Sequence, residues 1–166
     1  AKAVYDTVYL SVSNKINADN TESFTIGSRT VPLDRSIRVT YKPTQPVAWT
    51  KSTGVYRDGG RSSYTFLGGR WENGAIHFAT REFGDFVILQ DTVPPTIKPV
   101  AVNNTVARFK IKDELSGISS FEANINGKWL LMHYDSKTSS IWSEKLDKNE
   151  PLKGDFKLTV TDEAGN

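Results

Sequence analysis

The chain has 166 residues, 24% of them charged, a formal net charge of +2 and no cysteine. Without cysteine there is no disulfide framework, thiolate nucleophile or cysteine–zinc site, and so weak a charge without basic runs lacks the electrostatic footprint of a nucleic-acid binder. No apolar run approaches the roughly 20 residues that span a bilayer, and Ala1-Lys-Ala-Val4 has no signal-peptide hydrophobic region, so no membrane span is expected.

In chain order, residues 4–13 alternate with Val4, Val8, Leu10 and Val12 on one face and predict a strand, and residues 14–22 form a polar excursion. Residues 36–42 alternate again through Ile37, Val39 and Tyr41, and Pro43 and Pro46 bracket a short connection. Strands are predicted over 61–67 and 75–80, the latter entered through Asn73-Gly74, whose residue types suit the positive φ angles of a type I′ hairpin turn. Phe86-Val-Ile-Leu89 is a further β-prone run, closed by Asp91. Pro94-Pro95 then cannot donate the backbone bonds that a continuing ladder needs. A domain boundary is placed here, giving residues 1–92 and 93–166. The composition shifts across it: 7 Arg and 4 Lys against 9 acids before, 1 Arg and 9 Lys against 10 acids after.

In the second segment, residues 96–100, 106–112, 118–125, 128–134, 141–145 and 155–161 read as strands, with Asn126-Gly127 turning a central hairpin. No amphipathic helix is found in either segment. The predicted class is all-β: two tandem antiparallel β-sandwiches, a first over 1–92 and an immunoglobulin-like one over 93–166. Asp113-Glu-Leu-Ser-Gly-Ile118 and Asp162-Glu-Ala-Gly-Asn166 pair an aspartate at a strand exit with a turn glycine. In bacterial immunoglobulin-like repeats, which these loops resemble, a strand normally follows the Ala-Gly-Asn turn. Its lack here predicts a fragment of a longer protein, or an open sheet edge.

The catalytic inventory is thin. His77 and His133 fall one to each domain, and His133 with Asp135 makes two ligands where a catalytic zinc takes about three. There is no Gly-x-Ser-x-Gly elbow, and Glu72 and Asp85, a carboxylate pair of the glycosidase type, read better as solvated faces and turn caps. Gly59-Gly60 and Gly68-Gly69 open no helix, which leaves them as turns. Asp113, Asp162 and Asn166 are candidate oxygen ligands for calcium at one end of the second sandwich, against the commoner use of such residues to bond their own backbone. Trp49, Trp71, Trp129 and Trp142, with Tyr56, Tyr64 and Tyr134, offer rings for a sugar platform. Trp71 and Trp129 beside their Asn-Gly turns are the candidate ligand contacts, and packing is the competing reading.

Tyr5-Asp-Thr-Val-Tyr9, Gly69-Arg-Trp-Glu-Asn-Gly74, Thr80-Arg-Glu-Phe-Gly-Asp-Phe86, Asp91-Thr-Val-Pro-Pro-Thr-Ile97, Asp113-Glu-Leu-Ser-Gly-Ile118, Asn126-Gly-Lys-Trp129 and Thr161-Asp-Glu-Ala-Gly-Asn166 occur in that order. In combination they resemble the C-terminal, non-peptidase region of Bacteroidetes lysostaphin-type zinc endopeptidases, which cut peptide crosslinks in peptidoglycan. The resemblance implies a bacterial envelope location, in the periplasm, and a parent whose N-terminal catalytic domain holds zinc through His-x-x-x-Asp and His-x-His. Neither motif exists in this chain, so no catalytic residue carries over. The expectation is a chain that is no enzyme and needs no cofactor, with zinc confined to the parent's peptidase domain. Its implied partners are that domain and the peptidoglycan; the alternative is a carbohydrate-binding or adhesive module of a surface protein.

Overall fold

The computed structural model describes residues 3–47, 50–145 and 149–166. All regular elements among them are strands, joined in antiparallel ladders. The chain divides into two compact units, Ala1–Thr92 and Val93–Asn166.

The first unit contains β1 (Val12–Ile16), β2 (Glu22–Ile26), β3 (Pro32–Tyr41), β4 (Thr53–Asp58), β5 (Tyr64–Gly68), β6 (Arg70–Glu72), β7 (Ala75–Glu82) and β8 (Gly84–Gln90). They form a five-stranded sheet in the order β1-β2-β8-β4-β5 and a three-stranded sheet in the order β3-β7-β6. The inward faces meet in one core: Phe24 and Ile26 from β2, Val55 from β4 and Phe86 and Ile88 from β8 pack with Ile76 and Phe78 from β7. Phe24 is the hub, stacked on Tyr41 at 3.8 Å and on Phe86 at 5.4 Å between ring centroids, with Phe78 edge-on at 6.0 Å. Fully burying such a side chain contributes about 1.5–3 kcal/mol, so this cluster dominates the unit. The Asn73-Gly74 turn between β6 and β7 carries positive φ at both residues, 52° and 76°, as a type I′ hairpin requires.

At the start the structure departs from the alternation. Residues 7–11 lie in no strand, and β1 runs over Val12–Ile16, overlapping the end of the predicted strand and the start of the predicted polar excursion. The turn residues set this register: Asn17 N donates to Thr21 O at 2.8 Å and Asn20 N to Asn17 O at 3.0 Å, with Asn20 at φ 64°. This hairpin pins β1 to β2 with Asn14 opposite Phe24. Val4 and Val8 of the predicted apolar face still pack against the core, whereas Tyr9, at 95% exposure, and Leu10, at 49%, stay exposed.

The second unit contains β9 (Thr96–Val102), β10 (Ala107–Lys112), β11 (Ile118–Ile125), β12 (Lys128–Trp129), β13 (Met132–Asp135), β14 (Ser140–Ser143) and β15 (Phe156–Asp162). Its sheets run β13-β14-β10-β9 and β12-β11-β15, and Ala107, Phe109, Ile111, Ala123, Leu130, Met132 and Ile141 fill the core between them. The strand predicted over 128–134 is two strands in two sheets. Leu130 N donates to Ala123 O at 2.9 Å on one side, and Glu144 N to Leu131 O at 2.9 Å on the other. Leu130 and Met132 are both buried across this step, so an unbroken apolar run hides a change of sheet. β15 lies at an edge of its sheet.

Candidate functional site

On β2, Phe24 and Ile26 point into the core, so the alternate residues Ser23 and Thr25 face the other side of the five-stranded sheet. On β8 the same alternation turns Asp85, Val87 and Leu89 outward against Phe86 and Ile88 inward. Ser13 and Lys15 of β1 stand opposite Thr25 and Ser23. Together they floor an open basin of about 750 Å³, closed at one end by the Asn17–Thr21 turn and at the other by Asp58 and Tyr64. Its polar groups are held in place. Asn17 Nδ2 donates to Thr21 Oγ1 at 2.9 Å and to Ser23 Oγ at 2.7 Å. Thr25 Oγ1 donates to Asp85 Oδ1 at 2.7 Å, and Arg29 reaches Asp85 Oδ2 at 3.3 Å. At the turn, the Thr21 hydroxyl and amide donate to Asp19 and hold its carboxyl below the usual value.

Behind the basin, buried Glu22 ties three strands to a loop. Tyr41 Oη donates to its Oε1 at 2.5 Å, Asn14 Nδ2 to the same atom at 3.2 Å, and Thr44 N to Oε2 at 3.0 Å. Burial raises the Glu22 carboxyl, but these donors outweigh it and hold the group below its ordinary value. Burial, together with the hydrogen bond to Glu22 and that group's charge, raises Tyr41 far above the ordinary phenol value.

In the second unit Asp113 and Asp162 come together, with carboxylate oxygens within 4.8 Å. Asp113 Oδ1 accepts from Leu115 N at 3.0 Å and Gly117 N at 2.7 Å. Asp162, 1% exposed, accepts from Asn166 N at 2.8 Å and Asn166 Nδ2 at 3.1 Å. Glu163 N donates to Gly117 O at 3.0 Å and joins the loops. The two signatures thus lock each other's turns. These aspartates supply two of the six to eight oxygens that calcium takes, and Asn166 directs its amide nitrogen at Asp162.

The aromatic candidates separate. Trp71 packs against the first core and its Nε1 donates to Thr53 O at 2.9 Å. Trp129 is 60% exposed, beside a cleft of about 180 Å³ with Lys128, Lys145 and Lys153 at its rim. Trp142 lies between the His133 ring, stacked at 5.7 Å, and the Arg108 guanidinium at 6.0 Å. Tyr56 is fully buried, Tyr134 packs on the second core and Tyr64 stays exposed. Trp49 lies outside the described residues.

Neither histidine lies in the basin. His77 Nδ1 meets Thr40 Oγ1 at 2.9 Å and its Nε2 lies 4.0 Å from Glu72, which Arg70 already holds at 2.6 Å. The row has hydroxyl, imidazole and carboxylate in line, but 4.0 Å is beyond a hydrogen bond. His133 is paired with Glu144. Glu72 and Asp85, which sequence reads as solvated faces and turn caps over a glycosidase pair, lie on different sheets in partly exposed ion pairs with Arg70 and Arg29.

A family model for the Zu5-like domain matches residues 1–91. The chain belongs to the Zu5-like family. The matched residues coincide with the first unit to within one residue, so the basin is a feature of the Zu5-like domain. No curated protein matches the chain, and no solved structure does. The basin itself was missed in sequence. Its signal is present only as the polar half of two alternating strands, Ser23/Thr25 and Asp85, which sequence distance conceals until β2 pairs with β8.

Proposed function

We propose that this chain is the non-catalytic accessory region of a cell-envelope peptidoglycan metallopeptidase, positioning or regulating a zinc peptidase domain or engaging the wall. The observation that carries this reading is the open polar basin on the five-stranded sheet, a surface suited to binding: hydroxyl, amide and carboxylate groups line it, and both histidines sit on strands elsewhere, each tied to a neighbour. The ordered motifs from Tyr5 to Asn166 support the peptidase context, and with it a periplasmic location.

The test joins the gene to the protein. The reading frame upstream should encode His-x-x-x-Asp and His-x-His in the same polypeptide, and the purified chain should leave wall peptides uncut with zinc supplied. Metal-dependent cleavage by this chain, freed of contaminating protease, would overturn the proposal, as would a frame without those motifs. A carbohydrate-binding or adhesive module is the second reading, favoured by the exposed Trp129. It predicts saturable glycan binding lost in Trp129→Ala.

A further inference from the structure

We infer that the basin on the five-stranded sheet of the Zu5-like domain is a binding site for a neutral glycan strand bearing hydroxyl and acetamido groups. The choice of ligand rests on the wall-engaging reading; the site rests on its own geometry. Along β8 the floor runs from Asp85 to Leu89, which at ~3.3 Å per residue is about 13 Å, a length that suits a short run of pyranose rings. A volume of about 750 Å³ falls within the usual range of ligand sites.

The lining matches sugar chemistry on both counts that sugars require. A pyranose presents hydroxyls around its rim and C–H groups on its faces. The rim finds Ser13, Ser23, Thr25, Asn17 and Asp85, donors and acceptors already oriented by the Asn17 and Asp85 bonds, so less ordering is lost on binding. The faces find the partly exposed Leu89 side chain along the floor, over the buried Val87, and the Tyr64 ring at one end. Tyr64 is 37% exposed, with an aromatic face available for stacking.

Charge disfavours the competing polymer. Asp19, Asp58 and Asp85 stand in the lining with Lys15, and Arg29 pairs with Asp85, which leaves a slight negative excess and no cluster of cations for a phosphate backbone. An aliphatic ligand fits no better, because it would strip water from these polar groups and return no hydrogen bonds.

The experiment uses the full 166-residue chain, ¹⁵N-labelled, titrated with the tetramer of β-1,4-linked N-acetylglucosamine, and in parallel a sedimentation assay on purified peptidoglycan sacculi. Amide shifts are expected at Ser13, Lys15, Thr25, Val87 and Tyr64. Tyr64→Ala should weaken tetramer binding about tenfold, while Lys15→Ala, on an exposed strand, weakens it less and guards against a folding defect in the first variant. Trp129→Ala should leave the affinity unchanged. Shifts confined to Trp129 and Lys145, tetramer binding that survives both basin substitutions, or capture of wall stem peptide in place of the tetramer would each overturn the inference. Sacculus binding without any tetramer response would overturn the basin and leave the accessory reading standing. Tetramer binding in the basin, from a gene without peptidase motifs, would do the reverse.

Discussion

The two units hold themselves together by different means. In the Zu5-like domain a cluster of aromatic rings around Phe24 fills the core, and a buried carboxylate, Glu22, fastens the strands at its edge. In the second unit the core is mostly aliphatic, with Ile111 and Ile141 fully buried, and two aspartates fix the loops at one end. Rings are large and interdigitate, so their loss leaves a cavity that a sandwich relaxes into poorly. A carboxylate that locks a turn acts on a few amide groups, and its loss is local. One unit should therefore fail globally and the other loop by loop.

Residue-resolved hydrogen exchange and urea unfolding can break this contrast. The largest effect is expected from Phe24→Ala, about 3–5 kcal/mol, lowering protection throughout 12–90 and leaving the second unit's amides unchanged. A response spread over both units would dissolve the contrast. Next comes Glu22→Ala, at about 2–3 kcal/mol, since hydrogen bonds to a charged group exceed neutral ones and the Tyr41 hydroxyl loses its acceptor. The same carboxyl gives a pH test. Its folded value lies below the unfolded one, so its contribution is present above about pH 4.3 and is lost as pH falls through the folded value. Glu22→Gln should flatten that acid limb for the Zu5-like domain, as followed by urea titrations between pH 3 and 7.

Asp113→Ala should cost about 1–3 kcal/mol, because two amides of its loop lose their acceptor, with faster exchange limited to 113–118 and 162–166. Smaller still is Gly117→Ala. Gly117 has φ +89°, and an added Cβ would meet no atom within 4 Å. Its cost is thus the backbone conformation alone, about 1 kcal/mol. The least effect is expected at Trp129, where replacing an exposed ring by alanine should change stability by less than about 0.5 kcal/mol. A larger loss would make that indole a packing element and remove it as a ligand contact.

Alternation and turn chemistry are local, and what they encode was legible. The β class follows from residue patterns at β3, β7 and β10, and both Asn-Gly turns adopt the positive φ angles that their residue types favour, as Asn126 and Gly127 show at 50° and 77°. The loops of Asp113 and Asp162 were legible as turns, and their meeting follows from the pairing of Ile118 with Asp162. Other features depend on which strand pairs with which. The alternation of residues 4–13 names a strand of which only Val12 and Ser13 join the ladder, because the hairpin at Asn17–Thr21 places the pairing later. The step at Leu130 and Leu131 looks like one strand because both sheets bury apolar side chains there. Trp71 and Trp129 occupy similar places beside Asn-Gly turns, yet one is tied to Thr53 and the other is exposed. The basin belongs with these. Sequence carries the alternation of Ser23 and Thr25 with Phe24 and Ile26, and of Asp85 with Phe86, since a period of two is a property of the extended backbone, yet from sequence alone no strand is read over 22–26. Only tertiary structure brought β2 and β8 side by side, because long-range pairing is set by the burial of Phe24, Phe86 and Ile88 on the opposite side.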